Sequence, residues 1–341
     1  MNRWLKRCLP LLACLTLLCA CSTGTVQERL TNPLTESLAT EVPGVETILP
    51  QAEETGTVRS SEEAVLYFRF RDEPYLAQET RVITRTASQT YEMALISQLL
   101  QGPGTAGTDL NGLFPDGTQV LSTTRQGRTL FVTLSAEIMN AYPDEPVDWQ
   151  ENETYREECP LRRRLCMQSL VATVTENCDV DQVQVLVEQE NASVTSLRLK
   201  QNYFLDDSED DVLVGPMTRD PSMLLSAENT LRVLLDAWCG QDWQRMYNLM
   251  AVRDPVSGDG RATENDFIAA MSALRPVVRY TQTEATTTAD GSCATFAVSF
   301  AVLNTDGTVT ELTNRIVRLY RVNGLWKTGV SSLTGWMEVL P

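Results

Sequence analysis

Three polar side chains in the second half of the chain have the types and spacing that proton-transfer chemistry needs. Asp236, Asp242 and Tyr247 follow one another at short intervals among aromatic residues. A carboxylate that faces a phenol in an apolar pocket can remove a proton next to a carbonyl group. A structural interpretation fits as well, because Asp242 can cap a helix and Asp236 can lie on a solvated helix face. We therefore predict no catalytic residues.

The aromatic residues beside these polar groups are candidates for a ligand pocket. The three residues are spaced as on a helix, at Trp238, Trp243 and Tyr247. Aromatic residues at this spacing more often indicate core positions than a binding site. We name them as possible pocket residues and predict no cofactor.

The absence of histidine limits the chemistry further. The 341 residues include none, which excludes Ser-His-Asp catalysis, Cys-His catalysis and zinc sites built on histidine. The nine cysteines show no C-x-x-C spacing, so they indicate buried hydrophobic residues, with a Cys239–Cys293 bridge as the alternative. Segment 254–266 resembles a calcium loop but places Pro255 at the first ligand position. We predict no metal site.

The glycine-rich segment 99–121 raises the alternative of a nucleotide site. A phosphate cradle needs its glycines between a strand and the N-terminus of a helix. Here the glycines follow an apolar helical run, and no Gly-Lys-Ser/Thr motif comes after them. The net charge of −17 also disfavours nucleic acid as a partner. We therefore interpret the segment as the exit of a helix.

The N-terminus has the layout of an export signal. Basic residues precede a short apolar run over residues 8–20. Residues 18–21 resemble the bacterial lipoprotein box, in which Cys21 is the matching acylation site. The resemblance implies a signal peptide at 1–20 and a lipid anchor at the extracytoplasmic face of the cell membrane. An ordinary signal peptide is the alternative.

Changes in composition divide the remaining chain. Residues 21–60 are rich in Thr, Glu, Ser and Pro, which predicts a disordered tether. A run of acidic residues within 206–224 predicts a linker. These segments leave two domains, at 61–205 and 225–341.

The first domain has a recognisable order of elements. A strand at 64–70 precedes a helix that Ser88 can cap, and a hairpin follows around Gly127. Pro160 suits the first turn of a second helix, and alternating valines at 183–187 predict a further strand. The predicted order is β-α-β-β-α-β.

Four segments of this domain resemble the signature segments of the GerMN family, which occurs in sporulation and spore-germination proteins and in other lipoproteins of Gram-positive bacteria. The resemblance implies an α+β domain similar to the ring-building modules of secretion and sporulation assemblies, and it implies no catalytic residues. An insert at 141–158 departs from the family pattern. The matching segments are 99–103, 114–121, 172–176 and 183–187.

The second domain begins with three helices that Ser226, Asp242 and Thr263 can cap. Strands then follow, joined by three Asp-Gly or Asn-Gly turns of the kind that favours hairpins. This order, with Gly240–Trp243 between the first two helices, resembles the NTF2-like cone of three helices and a four-stranded antiparallel sheet. Such cones have a pocket that sometimes holds a ligand.

The fold class expected from both resemblances is α+β. We expect a membrane-anchored lipoprotein that acts as a non-enzymatic assembly or binding protein of the envelope in sporulation or germination. Its expected partners are envelope proteins or further copies of itself, as a homo-oligomer. A surface enzyme, either an isomerase or a hydrolase, and a small-ligand carrier that uses the NTF2-like pocket are the alternatives.

Overall fold

The computed structural model describes residues 60–104, 109–188, 196–205, 212–329 and 331–333. Within them the chain forms five α-helices and three β-sheets, which confirms the α+β class. The predicted signal peptide, Cys21 and nearly all of the predicted tether lie outside the described residues. No helix in the described part of the chain is long and apolar enough to cross a membrane.

The first sheet is antiparallel and has the order β2-β1-β3. Its long hairpin joins β1 (Ser60–Phe70) to β2 (Leu76–Arg85), and β3 (Leu110–Asn111) pairs with the end of β1. The strand predicted at 64–70 is confirmed within β1. The second strand of the hairpin was not predicted.

The first helix, α1 (Tyr91–Leu100), begins later than predicted. Thr90 is its N-cap, and the Thr90 side chain accepts a hydrogen bond from the Met93 N–H at 3.2 Å. The prediction of Ser88 as the cap is therefore wrong, because Thr90 adopts the extended cap conformation immediately before the first helical turn. Gly102 follows the helix with φ +82°, as the helix-exit interpretation requires.

The second sheet has the order β4-β5-β6-β7, with β8 also paired to β6. The β4–β5 hairpin is confirmed, and β5 and β6 are parallel. Strand β8 lies within the segment predicted as a linker, so part of that segment belongs to this sheet. The strands are β4 (Val120–Gln126), β5 (Thr129–Leu134), β6 (Gln182–Glu188), β7 (Ser196–Arg198) and β8 (Met217–Thr218).

The crossover between β5 and β6 is α2 (Glu153–Asn177), and it begins a full two turns before the predicted start. Pro160 lies inside this helix, so its prediction as a first-turn residue is wrong. The true start is set by Asn152, whose side chain accepts a hydrogen bond from the Thr154 N–H at 3.0 Å.

Polar side chains of α2 bind the open edge of β1. Asn177 accepts from the Val65 N–H at 2.9 Å and donates to the Val65 carbonyl at 2.7 Å. Thr173 accepts from the Tyr67 N–H at 3.1 Å, and Ser169 donates to the Tyr67 carbonyl at 2.6 Å. The helix thereby replaces the strand that would otherwise satisfy this edge.

The second half begins with α3 (Ala227–Cys239), α4 (Trp243–Asn248) and α5 (Glu264–Ser272). All three predicted caps are confirmed, because the side chains of Ser226, Asp242 and Thr263 accept backbone hydrogen bonds from the first helical turns. The helices therefore begin where local side-chain chemistry dictates.

The third sheet is antiparallel and follows the helices, as predicted. Its first predicted strand is interrupted, so β9 and β10 pair one after the other with the same side of β11. The NTF2-like resemblance stays a prediction. The strands are β9 (Val277–Gln282), β10 (Thr286–Thr287), β11 (Cys293–Leu303), β12 (Val309–Val322) and β13 (Leu325–Thr328).

The described cysteines are unbonded. Cys239 and Cys293 are both free, so the alternative of a bridge between them is wrong. Cys159 and Cys166 are buried, which agrees with their interpretation as small hydrophobic core residues.

Candidate functional site

A cavity of about 1090 Å³ opens where the first sheet meets the second half of the chain. We call it the cleft. Its walls come from β2, the start of β3, the end of α4 with the loop that follows, and the β12–β13 turn. The charged residues that line it are Arg71, Glu79, Asp109, Arg253, Arg261 and Lys327.

Asp109 joins two cations across the cleft. One carboxylate oxygen accepts from Arg71 Nε at 2.9 Å, and the other accepts from Lys327 Nζ at 3.0 Å. Burial alone raises the pKa of the Asp109 carboxyl, but Lys327 and Arg71 outweigh it, so the pKa lies below its ordinary value. Asp109 is therefore ionised at neutral pH and holds both cations in place.

Lys327 is the most buried charge of the cleft, with 8% of its side chain exposed. Its ammonium group also donates to the Asn248 carbonyl at 2.6 Å and lies 5.0 Å from the centre of the Phe70 ring. Burial lowers the pKa of Lys327, and Asp109 partly offsets that effect. Lys327 thus connects β13 both to the first sheet and to α4.

Arg71 has a left-handed backbone at φ +48°, which is uncommon for a residue with a side chain. Its N–H donates to the Asp109 carbonyl at 2.9 Å, and its carbonyl accepts from Asn111 Nδ2 at 3.0 Å. These bonds hold the β1–β2 turn so that the half-exposed guanidinium lies at the cleft.

Arg253 and Arg261 form the opposite wall and form no ion pair with a described residue. Arg261 donates to the Tyr247 and Met250 carbonyls, each at 3.2 Å, and stacks 4.1 Å from the centre of the Tyr247 ring. Arg253 is exposed, with one long hydrogen bond to the Gly258 carbonyl at 3.4 Å. The guanidinium of Arg253 is therefore open to a ligand.

Backbone hydrogen bonds to the buried carboxylate of Asp254 hold the loop that carries these arginines. Asp254 is 2% exposed, and its carboxylate accepts from the backbone N–H groups of Val256, Ser257 and Ser331 at 2.8, 3.1 and 2.7 Å. Val252 is 68% exposed on the same loop. The loop thus presents an apolar side chain beside the exposed guanidinium of Arg253 on a fixed backbone.

Polar contacts join the two halves next to the cleft. Glu73, in the β1–β2 turn, receives two hydrogen bonds of 2.6 Å from the guanidinium of Arg245 on α4. Arg321 donates to the Gln78 side chain, and Gly324 lies against the Gln78 carbonyl. These contacts fix the width of the cleft.

Replacement of Gly324 with alanine should therefore loosen this junction. A Cβ on Gly324 would lie 2.9 Å from the Gln78 carbonyl oxygen, at a backbone φ of +82°. Gly307 is a matched control, because it has φ +81° and nothing within 4 Å of its added Cβ. We expect G324A to lower the free energy of unfolding by about 2 kcal/mol more than G307A in urea titrations. Equal losses would show that backbone strain alone matters.

The structure does not gather the predicted pocket residues in one cavity. Trp238 is 1% exposed and packs against Phe300, with ring centres 6.0 Å apart. Trp243 is half-buried against the core, at the start of α4. Tyr247 lines a shallow pocket of about 480 Å³ that shares Arg253 and Arg261 with the cleft.

The carboxylates considered for proton transfer have structural partners. Asp236 accepts from the Tyr280 hydroxyl at 2.7 Å, and Asp242 accepts from the Arg245 N–H at 3.0 Å as the cap of α4. Tyr247 donates its hydroxyl proton to the Ala262 carbonyl at 2.9 Å. Among the described residues, no group of three or more Cys, Asp or Glu side chains is placed to hold a metal ion.

Sequence reasoning missed the cleft residues. Lys327 carried a usable signal, because the chain has only three lysines and this one interrupts an apolar strand. Arg71 and Asp109 carried none, since each lies in a polar turn or loop where charged residues are ordinary.

Residues 65–193 match the model of the family described as "Germane: Sporulation and spore germination". Residues 65–193 therefore match the Germane, or GerMN, family, as the sequence predicted, and this match supports a role in sporulation or germination. A search of curated proteins found no match.

Two solved structures from Bacillus subtilis are similar. The tandem GerMN domains of the sporulation protein GerM are 18% identical, with a TM-score of 0.31, and the match covers 50% of this chain and 51% of that one. The first GerMN domain of GerM is 16% identical, with a TM-score of 0.27, over 45% of this chain and 97% of that one. This chain thus matches about half the length of the tandem structure. Because these TM-scores are low, the family match alone supports the domain assignment.

Proposed function

We propose, on the premise that residues 65–193 form a Germane domain, that this protein is a non-enzymatic binding protein of the bacterial envelope in sporulation or germination. Its cleft would hold an extended, acidic segment of a partner protein. The observation that carries this proposal is the charge of the cleft, which has four cations and two carboxylates in a chain whose net charge is −17.

The distribution of charge within the cleft favours an anionic ligand. Asp109 pairs with Arg71 and Lys327, while Glu79 pairs with Arg81. Arg253 and Arg261 keep their charge without an ionic partner among the described residues. A concave surface with excess positive charge attracts carboxylates and orients them before contact.

The apolar part of the site favours a peptide over a small anion. Val252 is exposed at the rim, and Leu110 and Met250 lie on the walls. A pocket that combines fixed apolar side chains with an arginine is typical of protein recognition. An extended segment with alternating acidic and apolar side chains would meet both surfaces at once.

Two features support binding rather than catalysis. The aromatic residues considered for a pocket include Trp238, which fills core volume instead of lining a cavity. The second feature is that both carboxylates have structural roles. Asp236 accepts a hydrogen bond from the Tyr280 hydroxyl, and Asp242 is the N-cap of α4.

The place of action belongs to the same proposal. Acylation at Cys21 would hold the protein at the extracytoplasmic face of the membrane, and residues 22–59 would separate the cleft from the lipid surface. The mass of the mature N-terminus tests this step. A diacylglyceryl group on Cys21 supports the anchor, and an unmodified thiol contradicts it.

A labelled peptide of alternating Glu and Val, about ten residues long, tests the cleft by fluorescence anisotropy with the full chain in detergent. We expect Arg253→Glu to weaken binding by about tenfold or more, because it reverses the open charge. Arg232→Glu on the exposed face of α3 makes the same charge change outside the residues that line the cleft and should leave binding unchanged.

The remaining outcomes are equally informative. Added salt should weaken binding, and a Lys-Val peptide should not bind. In the source organism, Arg253→Glu should reduce spore formation or germination while Arg232→Glu does not. Equal effects of the two variants on peptide binding would contradict the proposed role of the cleft.

A further inference from the structure

Strand β2 has one edge that the rest of the described chain leaves open. Its inner edge pairs with β1 along its whole length. On the outer edge, Leu76 accepts from the Leu225 N–H at 2.7 Å, and the Gln78 carbonyl lies against Gly324. Beyond these residues, Thr80, Val82 and Thr84 have no backbone hydrogen bond to another described residue.

The hydrogen-bond pattern between β1 and β2 determines which backbone groups of β2 point away from β1. The Tyr75 carbonyl accepts from the Phe70 N–H of β1, whereas the Leu76 carbonyl faces outward to Leu225. Because residues alternate in an antiparallel pair, the even-numbered residues of β2 point their N–H and C=O groups away from β1. Thr80, Val82 and Thr84 therefore present a row of unused donors and acceptors.

Two other strands of the first two sheets, β1 and β4, have protected edges. The open edge of β1 is bound by Asn177, Thr173 and Ser169 of α2. Strand β4 has an irregularity between Val120 and Ser122, which twists an edge away from pairing. Strand β2 has neither protection, and its outer residues are all β-branched and exposed, with Val82 at 62%.

We propose that the outer edge of β2 pairs with the same edge of a second copy of this chain. The two strands run antiparallel about a two-fold axis at Val82, so that Val82 faces Val82 of the other copy. Thr80 then faces Thr84, and each of these pairs exchanges backbone hydrogen bonds. This inference rests on the outer edge of β2, of which Glu79 and Thr80 also line the cleft, and its test measures the oligomeric state rather than peptide binding.

The side chains of β2 are complementary to themselves in this register. Counting from the Val82 axis, Glu79 lies directly opposite Arg85 of the second copy, so opposite charges meet at both ends. Arg85 Nε is a buried donor with no hydrogen-bond partner among the described residues. No like charges oppose each other, because Arg81 faces Ile83.

The symmetry gives a closed dimer. When the outer edge of β2 pairs with itself about a two-fold axis, this edge is hydrogen-bonded in both copies. No open β2 edge is then left to bind a third copy. The product is one continuous sheet with the order β3-β1-β2-β2-β1-β3.

Two variants test whether this edge forms the contact. Val82→Pro removes the outward N–H but no bond to β1, and Val82→Lys places two ammonium groups opposite each other. In sedimentation experiments the full chain in detergent should be in reversible equilibrium between monomer and dimer. Both variants should raise the dissociation constant of the dimer by at least about tenfold. Val309→Lys is the control, since Val309 is 49% exposed on β12, which belongs to the third sheet and not to the sheet of β2. A monomeric parent chain, or a dimer that Val82→Lys leaves intact, would overturn the proposal.

Cysteine cross-linking tests the register. After mild oxidation, Val82→Cys should form a disulfide between copies, which peptide mapping locates at position 82 in both. Thr80→Cys alone and Thr84→Cys alone should not cross-link through the new residue, whereas the double variant should. The parent chain controls for native cysteines. Cross-linking of Thr80→Cys to itself would refute the Val82 axis, and the Arg253 variants report on the cleft separately.

Discussion

Replacement of Glu145 with alanine is expected to lower the free energy of unfolding by about 3–5 kcal/mol, because it leaves a buried arginine without its partner. Arg163 on α2 is 5% exposed and Glu145 is 7% exposed, with 3.2 Å between their charged atoms. Tyr142 and Tyr203 cover the guanidinium, at 5.0 and 5.3 Å from its central carbon. Solvent therefore has little access to the guanidinium that loses its carboxylate.

Urea titrations of paired variants measure this effect. Glu157→Ala is the control, since Glu157 is an exposed acidic residue at the start of α2, and its loss should stay within about 0.5 kcal/mol. The double variant Glu145→Leu with Arg163→Met removes both charges and should recover most of the stability. If Glu145→Ala and Glu157→Ala were equally mild, the pair would not be buried in solution.

Ion pairs of this kind also explain why sequence reasoning misplaced the start of α2. Residues 153–158 are mostly charged and lack an apolar repeat, so periodicity placed the start at Pro160. Ion pairs across the fold stabilise this part of the helix instead, including Glu158 with Arg69. The insert at 141–158, predicted from its departure from the family pattern, is thus bound to α2 and to β1 rather than free.

The caps of α3, α4 and α5 and the tight turns of the third sheet were predictable because their chemistry is local. Asp242 and Thr263 are followed within three residues by the N–H groups they accept from. The turns at Gly291, Gly307 and Gly324 have the positive φ that Asp-Gly and Asn-Gly sequences favour. In each case a few neighbouring residues determine the conformation.

The cleft could not be predicted, because its residues are brought together only by the tertiary fold. Asp109 and Lys327 are 218 positions apart, and Gln78 and Arg321 are 243 apart. Strand β2, which forms one wall, was missed because its arginines and threonines interrupt the alternation of apolar residues. The net charge of −17 predicts an acidic surface, whereas the cleft has a local excess of positive charge.

Replacement of Asp254 with asparagine should lower the free energy of unfolding by about 3 kcal/mol at neutral pH. Asparagine keeps one acceptor oxygen for Val256 and Ser257 but places an NH₂ group against the Ser331 N–H, which loses its partner. The backbone of Gly329 packs closely against this carboxylate, since a Cβ added there would lie 2.6 Å from Asp254 Oδ2, so little space is left on that side. Asp259→Asn, an exposed change in the same loop, is the control.

The pH dependence separates the charge of Asp254 from its shape. Burial raises the pKa of this carboxyl, but the N–H groups of Ser331, Val256 and Ser257 outweigh burial and lower it. A lowered folded pKa gives stability that is present above the unfolded value of about 3.9 and is lost as the pH falls through the folded value. The parent chain should therefore lose stability more steeply than Asp254→Asn as the pH drops below about 4. Parallel curves would show that the carboxylate of Asp254 does not hold the loop at the cleft.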